Sequence, residues 1–290
     1  MRTIAEWLAE AATVLKVSSE TPYLDAQVLL VHVLEKPRSW LLAHTEIELT
    51  IEQENNLRSS LKRVLNGEAL PYVLGHWEFF GLDFTVNPAV LIPRPETELL
   101  VEQALEWLGR HPRSRRAVDV GTGSGCIAIS LAVKIPDLEV IATDISNEAL
   151  RVASQNAIKH GVERRVSLIR ADLIDPISVD LGKLTPRPIN LIAANLPYIP
   201  RETLHTLEVY GKEPSLALDG GPDGLEQVRR LLNQAPTYLA PGGLVLLEIE
   251  HRQGHAVRRL AQTAFPQAQV RILQDLAGLD RLVKIDNLMS

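Results

Sequence analysis

The sequence predicts an α/β fold: a doubly wound, mostly parallel sheet preceded by a small N-terminal helical bundle and joined to it by a β-hairpin. Three observations predict it. Apolar residues recur at helical spacing through residues 3–75, an aromatic, turn-punctuated segment fills 76–92, and strand-like and helix-like segments alternate from residue 117 onward. We therefore expect a helical domain at 1–75, a hairpin linker at 76–92 and the α/β domain at 93–290.

Start and stop signals define the helices of the N-terminal region. Pro22 follows Thr21, which is typical of a first helical position after a cap. Thr50 and Gln53 have the spacing of a capping box. The helix that they begin is expected to end at Asn66-Gly67.

Residues 76–92 have the character of a hairpin. The segment H-W-E-F-F-G-L-D-F-T-V holds three of the four phenylalanines, Gly81 marks a turn within it, and Asn87-Pro88 marks another after it. The aromatic side chains could line a ligand site or stabilise the contact between domains, and we favour the second interpretation.

The remaining elements alternate in type, as expected for strands joined by crossover helices. A helix is predicted over 97–107. The predicted strands are 117–120, 139–143, 166–170, 189–194, 244–249 and 281–285. The helices predicted between them are at about 125–133, 147–160 and 224–238. The tail also contains V-R-I-L-Q-D-L, so the assignment of the last strands stays open.

Composition narrows the class of protein. The chain has 290 residues, enough for one large core or for a medium domain with a small one. Its net charge of −6 argues against duplex DNA or long RNA as the main partner, because phosphate binding requires a basic surface. We expect no direct nucleic-acid partner.

The sequence also argues against a metal site and a membrane span. The single cysteine, Cys126, excludes an intrachain disulfide, and the eight histidines show no metal-ligand spacing. No apolar run approaches the ~20 residues that a span needs, and acidic residues interrupt the N-terminal apolar stretch. We expect a cytoplasmic protein with no metal and no membrane partner.

A glycine loop follows the strand at 117–120. The loop Gly121, Thr122, Gly123, Ser124, Gly125 has the spacing G-x-G-x-G and not the G-x-G-x-x-G of dinucleotide sites, where a pyrophosphate sits on a helix N-terminus. Asp119 places a carboxylate beside the loop, which disfavours a phosphate and suits a cationic ligand. S-adenosylmethionine carries both a sulfonium and an α-amino group.

Two further strand ends carry acidic residues. Asp144 lies about twenty residues after the loop, where an acid accepts hydrogen bonds from ribose hydroxyls in this class of fold. Asp172 and Leu173 follow the next strand and could contact the amino group and the ring face of an adenine. We interpret loop and acids as an S-adenosylmethionine site; a nicotinamide cofactor and a non-catalytic nucleotide sensor are the alternatives.

The element Asn195-Leu196-Pro197-Tyr198 follows the apolar run I-N-L-I-A-A directly. An amide nitrogen is a poor nucleophile unless its hydrogens are held, and the Asn195 side-chain oxygen with a backbone carbonyl can hold them. Pro197 stiffens the turn, and the Tyr198 ring can stack on a planar amide or base. We predict that Asn195, Pro197 and Tyr198 are catalytic, that the four residues together bind the substrate, and that Asn195 also contacts the donor. The alternative is an Asx-turn in a structural loop.

These residues resemble a known family. N-L-P-Y-I is similar to the N-P-P-Y-I motif of amino-methyltransferases that act on planar NH2 groups. The segments L-I-P-R-P-E-T-E (91–98) and E-P-S-L-A-L-D-G-G-P-D-G-L (213–225) resemble the HemK/PrmC-type glutamine methyltransferases of peptide chain release factors. Residues 67–75 and 275–281 are similar too, so the resemblance covers nearly the whole chain.

The resemblance implies a Rossmann-like methyltransferase sheet and a role in translation termination. It implies transfer of methyl from S-adenosylmethionine to N5 of the glutamine in the Gly-Gly-Gln loop of class I release factors, with residues 1–75 gripping the release factor. Gly121 to Gly125, Asp144 and Leu173 would bind the donor, and Asn195 to Tyr198 the glutamine. Leu196 departs from the motif, which has proline there; leucine can serve if only its carbonyl matters.

Other planar NH2 groups remain as rival substrates. A ribosomal-protein glutamine or adenine N6 in nucleic acid would suit the same element. The acidic net charge disfavours nucleic acid, and the 91–98 segment favours the release-factor branch. A non-catalytic S-adenosylmethionine-binding module is a third possibility, against which the intact 195–198 element argues.

Overall fold

A computed structural model describes residues 2–175 and 189–288. The other positions of the predicted domain ranges lie outside the described residues. The chain divides into two compact units, residues 1–76 and 77–290, and each is described by itself.

The first unit contains five helices among its described residues. They are α1 (Ile4–Leu15), α2 (Pro22–Leu34), α3 (Arg38–Ala43), α4 (Ile51–Leu65) and α5 (Leu70–Leu74). Their apolar faces form a core around Ile4, Trp7 and Leu30, which are at most 2% exposed. The amphipathic periodicity therefore folds as expected, because only packing of the apolar stripes makes helices this short stable.

The predicted capping box of α4 is confirmed, and Thr21 occupies the N-cap position of α2 as predicted, but its side chain does not cap the helix. The Thr50 hydroxyl accepts the Gln53 amide at 3.2 Å while the Gln53 side chain accepts the Thr50 amide at 2.9 Å. Thr21 makes no capping hydrogen bond; its hydroxyl donates to the Asp25 carboxylate instead, at 3.2 Å. The helix begins there because Pro22 occupies its first turn.

The predicted hairpin is present as β1 (His76–Phe79) and β2 (Leu82–Thr85). Phe80 and Gly81 both have positive φ at its turn, the backbone that a two-residue hairpin loop requires. Phe79 and Phe84 are buried in the core of the second unit. These aromatic side chains thus stabilise the fold and do not line a ligand site.

The second unit contains one seven-stranded sheet among its described residues. Its strands are β3 (Arg116–Val120), β4 (Glu139–Asp144), β5 (Val166–Arg170), β6 (Ile189–Ala194), β7 (Leu239–Glu248), β8 (Gln269–Gln274) and β9 (Asp280–Asp286). The order is β5-β4-β3-β6-β7-β9-β8, with β3 to β7 parallel and β9 antiparallel to both its neighbours. The predicted doubly wound, mostly parallel sheet is confirmed.

Six helices accompany the sheet within the described residues. They are α6 (Glu98–Arg110), α7 (Cys126–Lys134), α8 (Asn147–Lys159), α9 (Arg201–Leu204), α10 (Glu226–Tyr238) and α11 (Gly254–Ala264). Successive residues of β3 contribute to different hydrophobic clusters: Val118 packs with α10 and α11, and Ala117 with α6, α7 and α8. Helices therefore cover both faces of the sheet, as a buried parallel sheet requires.

The C-terminal third differs most from the sequence-based assignment. Strand β7 starts five residues earlier than predicted, and α11 and β8 were not assigned. Three of the five apolar residues of α11 are alanines, which makes its apolar pattern weak; the five are Ala256, Val257, Leu260, Ala261 and Ala264. Only the adjacent strands and α10 show which face of this segment is buried.

Strand β3 lies between β4 and β6, the point at which the strand order reverses. In open α/β sheets, ligands bind beyond the carboxyl ends of the strands at this point. The register pairs Val120 of β3 with Thr143 of β4 and with Ala194 of β6. The glycine loop, Asp144 and Asn195 therefore leave the sheet side by side.

The contrasting caps predict a difference in stability. We expect Thr50→Ala to lower the free energy of unfolding by about 1 kcal/mol, because it removes the acceptor for the Gln53 amide. Thr21→Ala, which removes no capping bond, is the matched control and should change it by less than about 0.5 kcal/mol. Urea denaturation measures both; equal losses would contradict the assignment.

Candidate active site

The glycine loop is held tightly between β3 and α7. The Thr122 amide donates to the Thr143 carbonyl oxygen at 2.8 Å. Gly125 has φ +84°, and a Cβ there would lie 2.7 Å from Cδ1 of Ile129. The loop thus needs glycine at position 125 both for its backbone angle and for close packing on α7.

Asp119 lies beneath the loop. It is 1% exposed; Oδ2 accepts the Thr122 hydroxyl at 2.6 Å and the Ala128 amide at 3.1 Å, whereas Oδ1 has no partner among the described residues. Burial raises the pKa of this carboxyl to about 6. Asp119 is not part of the cavity wall described below, so its visible role is to hold the loop to the start of α7.

Asp144 is placed differently, at the cavity surface. Its Oδ2 accepts the Gly123 amide and its Oδ1 accepts the Ser146 amide, both at 2.9 Å. Burial raises its pKa, and these amides oppose the rise. Within the described residues it has no ion-pair partner, and each oxygen retains acceptor capacity for a ligand hydroxyl or cation.

A cavity of about 670 Å³ opens at these strand ends. Of the residues predicted to bind the donor, most line it: Gly121, Thr122, Gly123, Ser124, Asp144, Asp172, Leu173 and Asn195. Gly125 and Asp119 do not. Its size is typical of a site for a small molecule.

Asp172 and Leu173 form one edge of this cavity. The Asp172 carboxylate forms an ion pair with Arg230, with Oδ2 2.6 Å from the guanidinium. Leu173 has φ +61° and is 8% exposed. A left-handed leucine is strained and is kept here by burial of its side chain beside the cavity.

Asn195 follows the last residue of β6. Its side-chain nitrogen donates to the Thr97 hydroxyl oxygen at 3.1 Å. Because the nitrogen is engaged, the amide oxygen Oδ1 is the atom left to accept a hydrogen bond from a ligand. The structure thus presents an acceptor at the position where the sequence predicts one.

Leu196 and Pro197 also line the cavity. The Leu196 side chain is 4% exposed and belongs to the core beside Val118 and Val120. A Cβ on Gly121 would lie 3.2 Å from its Cδ2. The side chain of Leu196 therefore packs under the glycine loop, in addition to any role of its carbonyl.

Tyr198 is not among the residues that line this cavity. Its carbonyl oxygen accepts the Gln253 side-chain nitrogen at 2.9 Å, and the same nitrogen reaches the Gly224 carbonyl at 3.2 Å. Burial and the nearby Glu248 raise the pKa of its phenol to about 12. Gln253 fixes the backbone of the 195–198 element to the segment 213–225.

The two most family-specific segments meet in the opposite wall. Glu213, which is largely buried, accepts the Ile92 amide at 3.0 Å and forms an ion pair with Arg94. Arg94 and residues 214–217 line the cavity. The buried glutamate thereby joins segments 91–98 and 213–225, which are more than a hundred residues apart in the sequence.

Sequence reasoning missed four residues that hold these groups in place. They are Thr97, Arg230, Glu248 and Gln253. Thr97 lies within the 91–98 segment, so its motif was visible but its partner was not. Glu248 ends a strand beside the strand of Asn195, and a carboxylate at that position was the available signal.

Two other kinds of feature are absent from the described residues. No group of three or more histidine, cysteine, aspartate or glutamate side chains could hold a metal ion there. No helix in the same part of the chain is both long and apolar enough to span a membrane.

Comparison with known proteins identifies the family. Residues 6–75 match the PrmC N-terminal domain, and residues 95–195 match the Methyltransferase small domain. The release factor glutamine methyltransferase of Moorella thermoacetica is 43% identical over 96% of both chains. That of Coxiella burnetii is 38% identical over 98% of both. The chain belongs to the release factor glutamine methyltransferase family. It is thus an enzyme of a methyltransferase family, as the sequence predicts.

Solved structures agree with the methyltransferase fold. A methyltransferase from Pyrococcus furiosus has a TM-score of 0.51 at 18% identity, covering 80% of this chain and 99% of that one. The N-terminal domain of human METTL16 has a TM-score of 0.52 at 13% identity, covering 89% and 93%. At these identities the likeness shows the fold alone.

The buried Asp119 predicts a pH dependence of stability. Its folded pKa of about 6 exceeds the ordinary 3.8, so the folded state binds the proton more tightly, and stability is gained as pH falls from above 6 toward 4. We expect this group to contribute ~1–3 kcal/mol across that range. Urea denaturation at pH 8 and pH 5 should show that contribution in the native chain and lose it in Asp119→Asn. The exposed Asp137→Asn should keep it; an unchanged difference in Asp119→Asn would refute the assignment.

Proposed function

We propose that this enzyme transfers a methyl group from S-adenosylmethionine to the side-chain amide nitrogen, N5, of the glutamine in the Gly-Gly-Gln loop of class I peptide chain release factors. It would act in the cytoplasm, in translation termination. One observation carries the proposal: Asn195 lines the cavity with the glycine loop and Asp144, and its side-chain nitrogen is engaged by Thr97, which leaves Oδ1 as the acceptor for a substrate.

The chemistry follows from this acceptor. The lone pair of an amide nitrogen is delocalised into its carbonyl. Two acceptors on the NH2 hydrogens, Oδ1 of Asn195 and a backbone carbonyl of residue 195 or 196, would fix the nitrogen so that its lone pair points at the methyl donor. Positioning of this kind supplies up to about 7–11 kcal/mol of barrier lowering, and no strong general base is needed if the proton leaves after transfer.

The residues at the glycine loop fit S-adenosylmethionine. This co-substrate supplies an electrophilic methyl on a positively charged sulfur. Asp144 would accept the ribose hydroxyls, and the open space above Gly123 would allow the ligand to approach the backbone. Within the described residues, the three arginines that line the cavity are all paired with carboxylates, so this part of the wall offers no unpaired cation to repel a sulfonium.

The relatives support the choice of substrate. Those compared here are named release factor glutamine methyltransferases, and they match this chain along nearly its whole length. Adenine N6 and ribosomal-protein glutamine require the same amide clamp, but no feature of this cavity favours them. We assign binding of the release factor to the helical region 1–75 and methyl transfer to residues 93–290. The hairpin at 76–92 would link the two regions.

Substitution of Asn195 tests the catalytic assignment. We expect Asn195→Ala to lower turnover by a factor on the order of 10², about 2.7 kcal/mol, because one hydrogen of the substrate NH2 loses its acceptor. Donor binding measured by calorimetry should be retained. Label transfer from methyl-labelled S-adenosylmethionine to purified release factor measures turnover, with a Gly-Gly-Ala loop variant as substrate control.

Asn190→Ala is the matched enzyme control. It removes the same group from the opposite end of β6, where Asn190 accepts the Arg116 amide at 3.2 Å. Turnover should stay close to that of the native chain. Full activity in Asn195→Ala would overturn the proposal. Equal label on the native release factor and on its Gly-Gly-Ala variant would overturn it as well.

Substitution of Asp144 tests the donor site. We expect Asp144→Ala to weaken S-adenosylmethionine binding by ~1–3 kcal/mol, because hydrogen bonds to a charged acceptor are lost. Asp137→Ala, at the other end of β4 and ion-paired with Arg115, should bind the donor normally. Calorimetric titration separates the two; equal affinity in Asp144→Ala would refute the role of this carboxylate.

A further inference from the structure

We propose that Thr97 and Glu248 are positioning residues that set the orientation of the Asn195 amide. They would do so through a directional hydrogen-bond chain in which the Asn195 NH2 donates to the Thr97 hydroxyl and that hydroxyl donates to the Glu248 carboxylate. This inference deepens the proposed function and rests on it.

The sheet brings the three residues together. Strands β6 and β7 are parallel neighbours, with Ala194 opposite Leu247, so Asn195 and Glu248 are the next residues on adjacent strands. Thr97 ends the short 3-10 helix Pro95–Thr97 that precedes α6. Both Thr97 and Glu248 are 2% exposed, so the carboxylate of Glu248 is shielded from solvent.

The polarity of the chain follows from the donors and acceptors available. An amide can present its oxygen or its nitrogen to a neighbour at almost no steric cost, so the neighbour decides. The Thr97 oxygen accepts from Asn195 Nδ2 at 3.1 Å, and its own hydrogen must then be donated elsewhere. The side chains of Thr97 and Asn195 both stabilise the charged form of Glu248, which makes that carboxylate the acceptor.

Without the Glu248 carboxylate as acceptor, the direction of the hydrogen bonds between Asn195 and Thr97 can reverse. The Thr97 hydroxyl would then be free to donate to Oδ1 of Asn195, and the amide would turn its nitrogen toward the cavity. A nitrogen there is a donor and cannot accept from the substrate NH2. The buried carboxylate therefore acts on catalysis through another residue and does not touch the substrate.

The surroundings of Glu248 make its protonation relevant. Burial raises its pKa to about 7; Arg281 of β9 opposes the rise and Glu96 adds to it, while Tyr198 and Cys126 also face this charge. Its Oε2 has no hydrogen-bond partner among the described residues. A protonated Glu248 could donate to Thr97 and reverse the chain, so turnover should fall as pH decreases through about 7.

Four variants test the inference in the label-transfer assay with purified release factor. We expect Thr97→Val to lower kcat about tenfold with little change in the KM for either substrate, since one oriented hydrogen bond is lost. Thr97→Ser keeps the hydroxyl and should restore most of kcat. Glu248→Gln mimics the protonated acid, so its kcat should be low. Its profile of kcat against pH should also lack the fall near pH 7 that the native chain shows. Ser130→Ala in α7 is the matched control, because it removes another buried hydroxyl, one without a partner among the described residues, and should behave like the native chain.

A second measurement does not depend on the substrate. The side-chain NH2 resonances of Asn195, identified by their loss in Asn195→Asp, should shift with a midpoint near pH 7 in the native chain and should not titrate in Glu248→Gln. Native kcat in Thr97→Val and an acidic limb that persists in Glu248→Gln would overturn the inference. A native chain that transfers no label to the release factor while the resonances titrate as expected would instead overturn the proposed function alone.

Discussion

The parallel pairing of β3 with β4 and β6 is the constraint on which the site depends. This pairing sets the glycine loop between the end of β4 and the end of β6. The loop then donates hydrogen bonds to the Thr143 carbonyl and the Asp144 carboxylate at the end of β4. Every residue expected to bind the donor lies within five residues of the carboxyl end of a strand. A shift of register by one residue would turn the side chains of β6 to the other face and remove Asn195 from the cavity.

Buried polar side chains hold the loops at these strand ends in fixed positions. Asp119 ties the glycine loop to the first turn of α7, Glu213 ties the two family-specific segments together, and Gln253 holds the carbonyl of Tyr198. Each is a polar side chain removed from water, which costs free energy unless its hydrogen bonds are made. Loops held in this way lose little further entropy on binding, which suits an enzyme that relies on positioning.

The acidic groups in and under the cavity wall have different roles despite their common chemistry. Asp144 is at the surface and accepts backbone amides with capacity to spare. Asp119 and Glu248 are fully enclosed, and burial raises the pKa of both. From the sequence all three are carboxylates at or near strand ends; only their depth in the structure separates the one that lines the cavity from the two that are enclosed.

Sequence alone determined the strands and helices whose apolar patterns are strong, the capping box at Thr50, and the positions of the glycine loop, Asp144 and the 195–198 element. These follow from local periodicity and from turn chemistry, which involve residues close in the chain. The sequence did not assign helix α11 or strand β8, because the apolar residues of α11 are mostly alanines and β8 is an edge strand with only Val270 buried. Only the tertiary structure decided that Thr97 receives the Asn195 amide across 98 residues of sequence and that Leu196 and Pro197 line the cavity while Tyr198 does not. Such contacts arise from strand order and packing, which no local spacing encodes.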